Sequence, residues 1–227
     1  MKTTLSKREK TREMTILAMF IAIIAILGLV PSPLGTTLGF YRIIGEVEAT
    51  IIHIPVLVGG ALFGKKFSIY LGLAFGVISM LAAFLYSPFF FIYPWVSILP
   101  RLAFGFVIIY VVDFFLKIIK NKYLSLAISF FLLTLIHAIF TLTMLFTVFP
   151  MVLELPFNGE TFTTYLLVWL PLHAGFPWIT VIEAVMAGVV GGTIIVRLSK
   201  IFGIKKYLQT SNADKSGVEE NISTGES

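Results

Sequence analysis

One arginine lies inside an apolar segment, where its charge could bind an anion. Arg101 is preceded by the largely apolar stretch from Trp95 and followed by apolar residues as far as Val112. A charge inside a membrane-spanning helix costs at least a few kcal/mol unless it has a partner. The sequence therefore predicts that a protein carboxylate or a bound anion meets Arg101.

Two other ionisable residues are predicted at a similar depth. Counted at ~1.5 Å per residue from the starts of their predicted helices, Arg101, Glu183 and His53 each lie about 8–9 Å inside. A shared depth favours a pocket that opens to the outside. The alternative is a structural ion pair between Arg101 and Glu183, with His53 as a packing residue.

Three more side chains could belong to this pocket. His137 lies near the middle of a long apolar segment, where a hydrogen-bonded packing role is the simpler interpretation. It could instead form the floor of the pocket, or relay protons with Arg101 and Glu183 in a secondary transporter or channel. Tyr93 and Trp95 are typical of an interfacial aromatic belt, and could also cap a ligand.

The sequence offers little for catalysis. It has no cysteine, which excludes disulfides, thiolate chemistry and Cys-based zinc sites. Metalloprotease, nucleophile-elbow and phosphate-loop motifs are also missing, so neither an enzyme activity nor a cofactor or metal is predicted. If ATP drives a transport step, another subunit must hydrolyse it.

Composition then sets the fold class. The 227 residues are 58% hydrophobic and 13% charged, which indicates an all-α integral membrane protein with apolar segments too long for one soluble core. We predict six transmembrane helices: 14–30, 47–63, 67–86, 95–119, 124–149 and 178–198.

Three connections are predicted outside. The first, 31–46, is rich in turn residues and holds a partly ordered piece at 40–44, and the third is 87–94. The fifth, 150–177, contains an apolar piece at 162–177 that is broken by proline and glycine, which indicates a re-entrant or interfacial segment rather than a span. Loops 1, 3 and 5 are thus available to close over a pocket.

Charge distribution predicts the topology. Lysine and arginine cluster at the inner ends of the predicted helices, whereas the outer loops hold only Arg42. Under the positive-inside rule both termini are cytoplasmic. We therefore expect a basic tail at 1–13, a six-helix domain at 14–200 and a polar, disordered tail at 201–227.

Three motifs resemble those of the substrate-binding S components of energy-coupling-factor (ECF) vitamin transporters. They are the Ala-x-x-x-Ala pair of Ala18 and Ala22, the block HIPVLVGGALFGK from His53 to Lys65, and LPRLAFG from Leu99 to Gly105. The chain looks most like the pantothenate-type group. Folate, riboflavin or another micronutrient is the alternative cargo.

The resemblance implies a function and partners. Such a protein captures a vitamin from outside in a pocket closed by the first, third and fifth loops. It docks through Ala18 and Ala22 on a transmembrane coupling subunit that two ABC ATPases drive. The implied location is a bacterial cell membrane, with no nucleic-acid partner.

Overall fold

The protein is mostly helical. The computed structural model describes residues 7–33, 35–44, 47–86, 89–152, 154, 159–164 and 175–201. Within these ranges, five helices are long and apolar enough to cross a membrane. This confirms a mainly α-helical membrane fold. Most of the predicted re-entrant segment 162–177 and almost all of the C-terminal tail lie outside the described residues.

The long helices follow the apolar runs closely. They are α1 (Lys7–Leu29), α3 (Lys65–Tyr86), α4 (Pro94–Ile118) and α5 (Lys122–Val152). A short helix, α6 (Gly159–Thr164), precedes the last long one. That helix consists of α7 (Gly175–Met186), a π-helical turn (Ala187–Gly191) and α8 (Gly192–Ile201). Helix α1 begins inside the predicted polar tail, because its charged residues are good helix formers.

The second predicted span was wrong in its first part. Residues Val47–Thr50 form a strand, β4, and the following helix α2 covers only His53–Phe63. At ~1.5 Å per residue, 11 residues span about 16 Å, which is roughly half of a hydrocarbon core. His53 is thus the first residue of α2 and not the seventh of a longer helix.

The first predicted loop is a small antiparallel sheet. Strands β1 (Pro31–Ser32), β2 (Gly35–Thr37), β3 (Phe40–Ile44) and β4 pair in chain order, with Phe40 opposite Thr50. The Gly39 amide and the Thr37 hydroxyl both donate to the carbonyl of Leu27, at 2.7 and 2.8 Å. These bonds fix the sheet against the end of α1 and so position the start of α2.

Helices α3 and α4 meet backbone to backbone. A methyl group at Gly72 would lie 2.5 Å from the carbonyl oxygen of Arg101, and one at Gly76 would lie 2.8 Å from Cα of Ile98. Ser68 donates to the carbonyl of Gly105 across the same contact. Small residues allow this approach, and we call the contact of Ser68, Gly72, Gly76 and Gly105 the glycine seam.

Two hydrogen bonds show which helix ends share one side of the bundle. The Tyr86 hydroxyl donates to the Leu29 carbonyl at 2.7 Å, and Trp95 Nε1 donates to Thr147 Oγ1 at 3.2 Å. Helices α3 and α4 are antiparallel, since Gly76 lies against Ile98 and Ser68 against Gly105, so the C-terminal ends of α1, α3 and α5 lie on the same side as the start of α4. We call this side the loop end.

Candidate functional site

Three predicted site residues meet in the interior. His53 begins α2, Arg101 lies on α4 and His137 lies on α5, with 1%, 4% and 6% of their surfaces exposed. The two imidazole rings are stacked, with centroids 6.3 Å apart and planes 17° from parallel. Three helices thus bring basic side chains into one buried cluster.

Phenylalanines line this cluster. The ring of His137 lies 5.5 Å from Phe75 and 4.9 Å from Phe104. The guanidinium carbon of Arg101 lies 5.4 Å from the centre of the Phe75 ring and 5.2 Å from that of Phe91. Each such contact stabilises a desolvated cation by about 1–2 kcal/mol, which offsets only part of the cost of burial.

Several buried polar atoms of the cluster lack hydrogen-bond partners among the described residues. Arg101 donates through one terminal nitrogen to the Val96 carbonyl at 2.7 Å. Its Nε has no described partner. The same is true of the two ring nitrogens of His53 and of Nε2 of His137. Each unsatisfied buried group costs about 1–3 kcal/mol. The cluster is therefore suited to a ligand that supplies a negative charge and hydrogen-bonding atoms.

Glu183 does not pair with Arg101. Its carboxylate accepts a hydrogen bond from the backbone amide of Thr50, at the end of β4. Glu183 therefore joins α7 to the junction between β4 and α2, three residues before His53. The structural ion pair weighed in the sequence analysis is not formed, and no described carboxylate neutralises Arg101.

Tyr93 and Trp95 lie at the loop end. Their rings are 5.0 Å apart, and Trp95 also bonds to Thr147 on α5. Tyr93 belongs to a cluster of apolar side chains that packs against the helix ends. We call this cluster the loop-end cap, and its members are Phe90, Phe91, Tyr93, Val96, Met144, Leu145 and Val148. Phe91 belongs to the cap and also contacts Arg101, so the cap lies directly beside the basic cluster.

The aromatic loop at 89–91 was a candidate for capping a ligand, but sequence reasoning missed Phe75 and Phe104. They are two of 22 phenylalanines, and no local pattern distinguishes them from packing residues. Two buried hydroxyls that have no partner in the described part of the chain, on Ser79 and Thr141, were also missed. Among the described residues no three His, Asp or Glu side chains are placed to hold a metal ion.

The predicted partner face is at the surface. Ala18 and Ala22 are exposed on α1, and Met14, Met19 and Ile26 beside them are 71%, 48% and 53% exposed. The opposite side of the helix packs into the core through Phe20 and Ile24. The exposed strip of α1 is therefore available for contact with lipid or with another protein.

These features define a multi-pass helical membrane protein with an internal polar site lined by aromatic rings. The profile of the family described as "ECF transporter, substrate-specific component" matches residues 12–177. The chain belongs to this family, which confirms the resemblance drawn from its motifs. The match includes His53, Arg101 and His137 and ends before Glu183.

A curated relative has a similar sequence. The pantothenic acid transporter PanT of Lactococcus lactis subsp. cremoris (strain MG1363) is 28% identical over 165 residues. The alignment covers 65% of this chain and 79% of the relative. This similarity supports the assignment to the pantothenate-type group.

Proposed function

We propose that this protein is the S component that captures pantothenate outside the cell and delivers it by docking on an ATP-driven coupling module. The observation that carries the proposal is Arg101, a buried cation without a described carboxylate partner. Pantothenate supplies a carboxylate, and its amide and hydroxyl groups can meet the polar atoms around it. Family membership and the similarity to the pantothenic acid transporter support the same cargo.

The proposed pocket opens toward the loop end, which faces outside. The basic clusters at the other helix ends support cytoplasmic termini under the positive-inside rule. The short helix α2 is the sixth membrane element of this arrangement. The loop-end cap and the sheet at 31–50 lie where they could close over the vitamin.

Binding by the purified protein tests the cargo. We expect pantothenate, measured by isothermal titration calorimetry, to bind more tightly than riboflavin or folate. Pantothenol, which replaces the carboxylate with an alcohol, should bind far more weakly, because it offers Arg101 no charge. Native mass spectrometry of the purified protein would show directly which vitamin is retained.

Arg101→Ala provides the sharper test. Removing one member of a buried charge pair costs about 2–5 kcal/mol, which is roughly a 30- to 5,000-fold loss of affinity. The control is Arg197→Ala, since Arg197 is exposed on α8 and should leave binding unchanged. Binding of pantothenate by Arg101→Ala within threefold of the parent value would contradict the proposal.

Docking is tested separately. We expect Ala18→Leu and Ala22→Leu to weaken assembly with the coupling subunit and its ATPases while pantothenate binding stays normal. Ala103→Leu is the control, because Ala103 is also exposed but lies on α4. Normal assembly of both α1 variants would show that another surface is used.

A proton-coupled carrier that uses Glu183, Arg101 and His137 is the alternative. Vesicle uptake distinguishes the two functions. The S component requires the coupling module and ATP, whereas a proton-coupled carrier would transport alone and stop when a protonophore is added. Uptake by the solitary chain without ATP would favour the alternative.

A further inference from the structure

Two buried hydroxyls lie close to the basic cluster and have no partner among the described residues. Ser79 on α3 is 4% exposed and Thr141 on α5 is 8% exposed, and neither side-chain oxygen has a hydrogen bond. Elsewhere on α5 two buried residues of the same kinds are satisfied, whereas Ser125, near the start of the helix and far from the cluster, also has a hydroxyl without a described partner. Ser129 and Thr134 donate to the carbonyl four residues earlier, at 2.7 and 2.9 Å.

That contrast is informative because the bond to the preceding turn is available to any serine or threonine within a helix. Ser79 and Thr141 do not use it, although burial leaves their hydroxyl groups without water. An unsatisfied hydroxyl of this kind is costly. Unlike Ser125, these two hydroxyls lie beside the basic cluster, where they are free to bond to a group outside their own helices.

Both hydroxyls lie on the faces that form the site. Ser79 follows Phe75 by four residues and Thr141 follows His137 by four, so each lies on the same helix face, about 6 Å closer to the loop end. The rings of Phe75 and His137 are in contact, as described above. The hydroxyls thus extend the polar cluster toward the loop-end cap.

The hydrogen bond between Trp95 and Thr147 fixes the relative height of α4 and α5. Arg101 lies six residues from Trp95, and Thr141 lies six residues from Thr147. At ~1.5 Å per residue, both lie about 9 Å from that bond. One turn further along α5, Leu145 belongs to the apolar cap, so Thr141 lies at the boundary between the polar cluster and its apolar cover.

We infer that Ser79 and Thr141 are specificity-determining residues that bind the hydroxyl groups of the substrate. This inference rests on the proposed function and extends it. Arg101 selects for a carboxylate, whereas the two hydroxyls select among carboxylic acids for those that carry hydrogen-bonding groups along their chain. A purely aliphatic acid would leave both hydroxyls unsatisfied and bind weakly.

The test uses a pair of ligands that differ only in hydroxyl groups. They are pantothenate and N-(3,3-dimethylbutanoyl)-β-alanine, which is pantothenate without its two hydroxyls. Their affinities are measured by calorimetry for the parent protein, Ser79→Ala and Thr141→Val. The matched controls are Ser129→Ala and Thr134→Val, whose hydroxyls are buried but already bonded.

We expect Ser79→Ala or Thr141→Val to weaken pantothenate binding by roughly 2- to 10-fold, the worth of one neutral hydrogen bond. At least one of them should leave affinity for the dideoxy ligand within twofold, so that the preference for pantothenate falls. The control variants should not change the preference. An unchanged preference in both site variants would overturn the inference.

A second measurement does not depend on the cargo. Without ligand, Ser79→Ala and Thr141→Val remove unsatisfied hydroxyls and should leave the thermal unfolding midpoint unchanged or higher, whereas Ser129→Ala and Thr134→Val break existing bonds and should lower it. An equal loss of stability in all four variants would contradict the inference. If the parent protein binds neither ligand, the proposed cargo is wrong, and this comparison still tests the role of the hydroxyls.

Discussion

The glycine seam and the basic cluster both lie between α3 and its neighbours, yet they are packed in opposite ways. In the seam, Gly72 contacts the backbone of α4, and the Ser68 hydroxyl is satisfied by the Gly105 carbonyl. In the cluster, side chains of Arg101 and His53 are buried with polar atoms that lack described partners. The seam is complete without a ligand, whereas the cluster is not.

Arg101 connects the two regions. Its carbonyl oxygen touches Gly72 in the seam, while its guanidinium lies between Phe75 and Phe91 in the cluster. A backbone held by close packing can present a charged group at a fixed place. The difference supports the proposal that rigid helix contacts position these side chains for a ligand.

The largest loss of stability is expected from a substitution in the glycine seam. In Gly72→Ala the new methyl group would lie 2.5 Å from the Arg101 carbonyl and 3.0 Å from Cα of Gly105. Because both are backbone atoms, α3 and α4 must move apart, and overpacking of this kind costs ~1–3 kcal/mol. Thermal unfolding in detergent micelles should show a lower midpoint, and calorimetry should show weaker pantothenate binding.

Gly159→Ala is the matched control for this prediction. No atom of the described residues lies within 4 Å of a methyl group at that position, so the substitution should leave both stability and binding unchanged. If Gly72→Ala is as stable as Gly159→Ala, the seam is not the rigid contact described here.

In the basic cluster, we expect a substitution to leave the stability of the ligand-free protein unchanged or to raise it. His53→Leu removes two ring nitrogens that have no hydrogen-bond partner by geometry among the described residues, although the Thr50 backbone lies close to the ring, and it keeps an apolar side chain in the same space. We expect the ligand-free protein to keep or gain up to ~1 kcal/mol of stability. Pantothenate binding should fall, so its stabilising effect on the unfolding midpoint should shrink.

His53→Gln distinguishes polarity from shape. It keeps hydrogen-bonding atoms in the site and should not give the gain in ligand-free stability. A marked loss of stability in His53→Leu would mean that the imidazole already has a partner, and the contrast between cluster and seam would then fail.

Much of this fold could be predicted because its signals are local. The ends of α3, α4 and α5 lie within two or three residues of the apolar runs that predicted them. Arg101 was predicted to be a site residue because an arginine among apolar residues needs a partner wherever it is buried. The depth argument also brought His53 and Arg101 together, although His53 lies on a much shorter helix than predicted.

The errors come from contacts between distant parts of the chain. Val47–Thr50 contains the good helix formers Glu48 and Ala49 and could extend a helix, but pairing with β3 makes it a strand, because tertiary contacts of this kind override local preference. Glu183 is 133 residues from the Thr50 amide that it binds, so equal depth alone suggested Arg101 instead. Ser79 and Thr141 resemble ordinary helix residues until their missing bonds are known.

The smallest effects on stability are predicted for Glu183→Gln and for the coupling free energy between Glu183 and Arg101. Glu183→Gln keeps an oxygen that can accept from the Thr50 amide, so its stability should change by less than ~0.5 kcal/mol. Glu183→Ala leaves that amide without an acceptor and should cost about 1 kcal/mol. Because the two side chains do not contact each other, the effects of Glu183→Ala and Arg101→Ala should add within about 0.5 kcal/mol in a double-mutant cycle. A coupling of 2 kcal/mol or more would mean that the two form an ion pair after all, and Arg101 would then be a clamp between helices, with its charge already neutralised before any vitamin arrives.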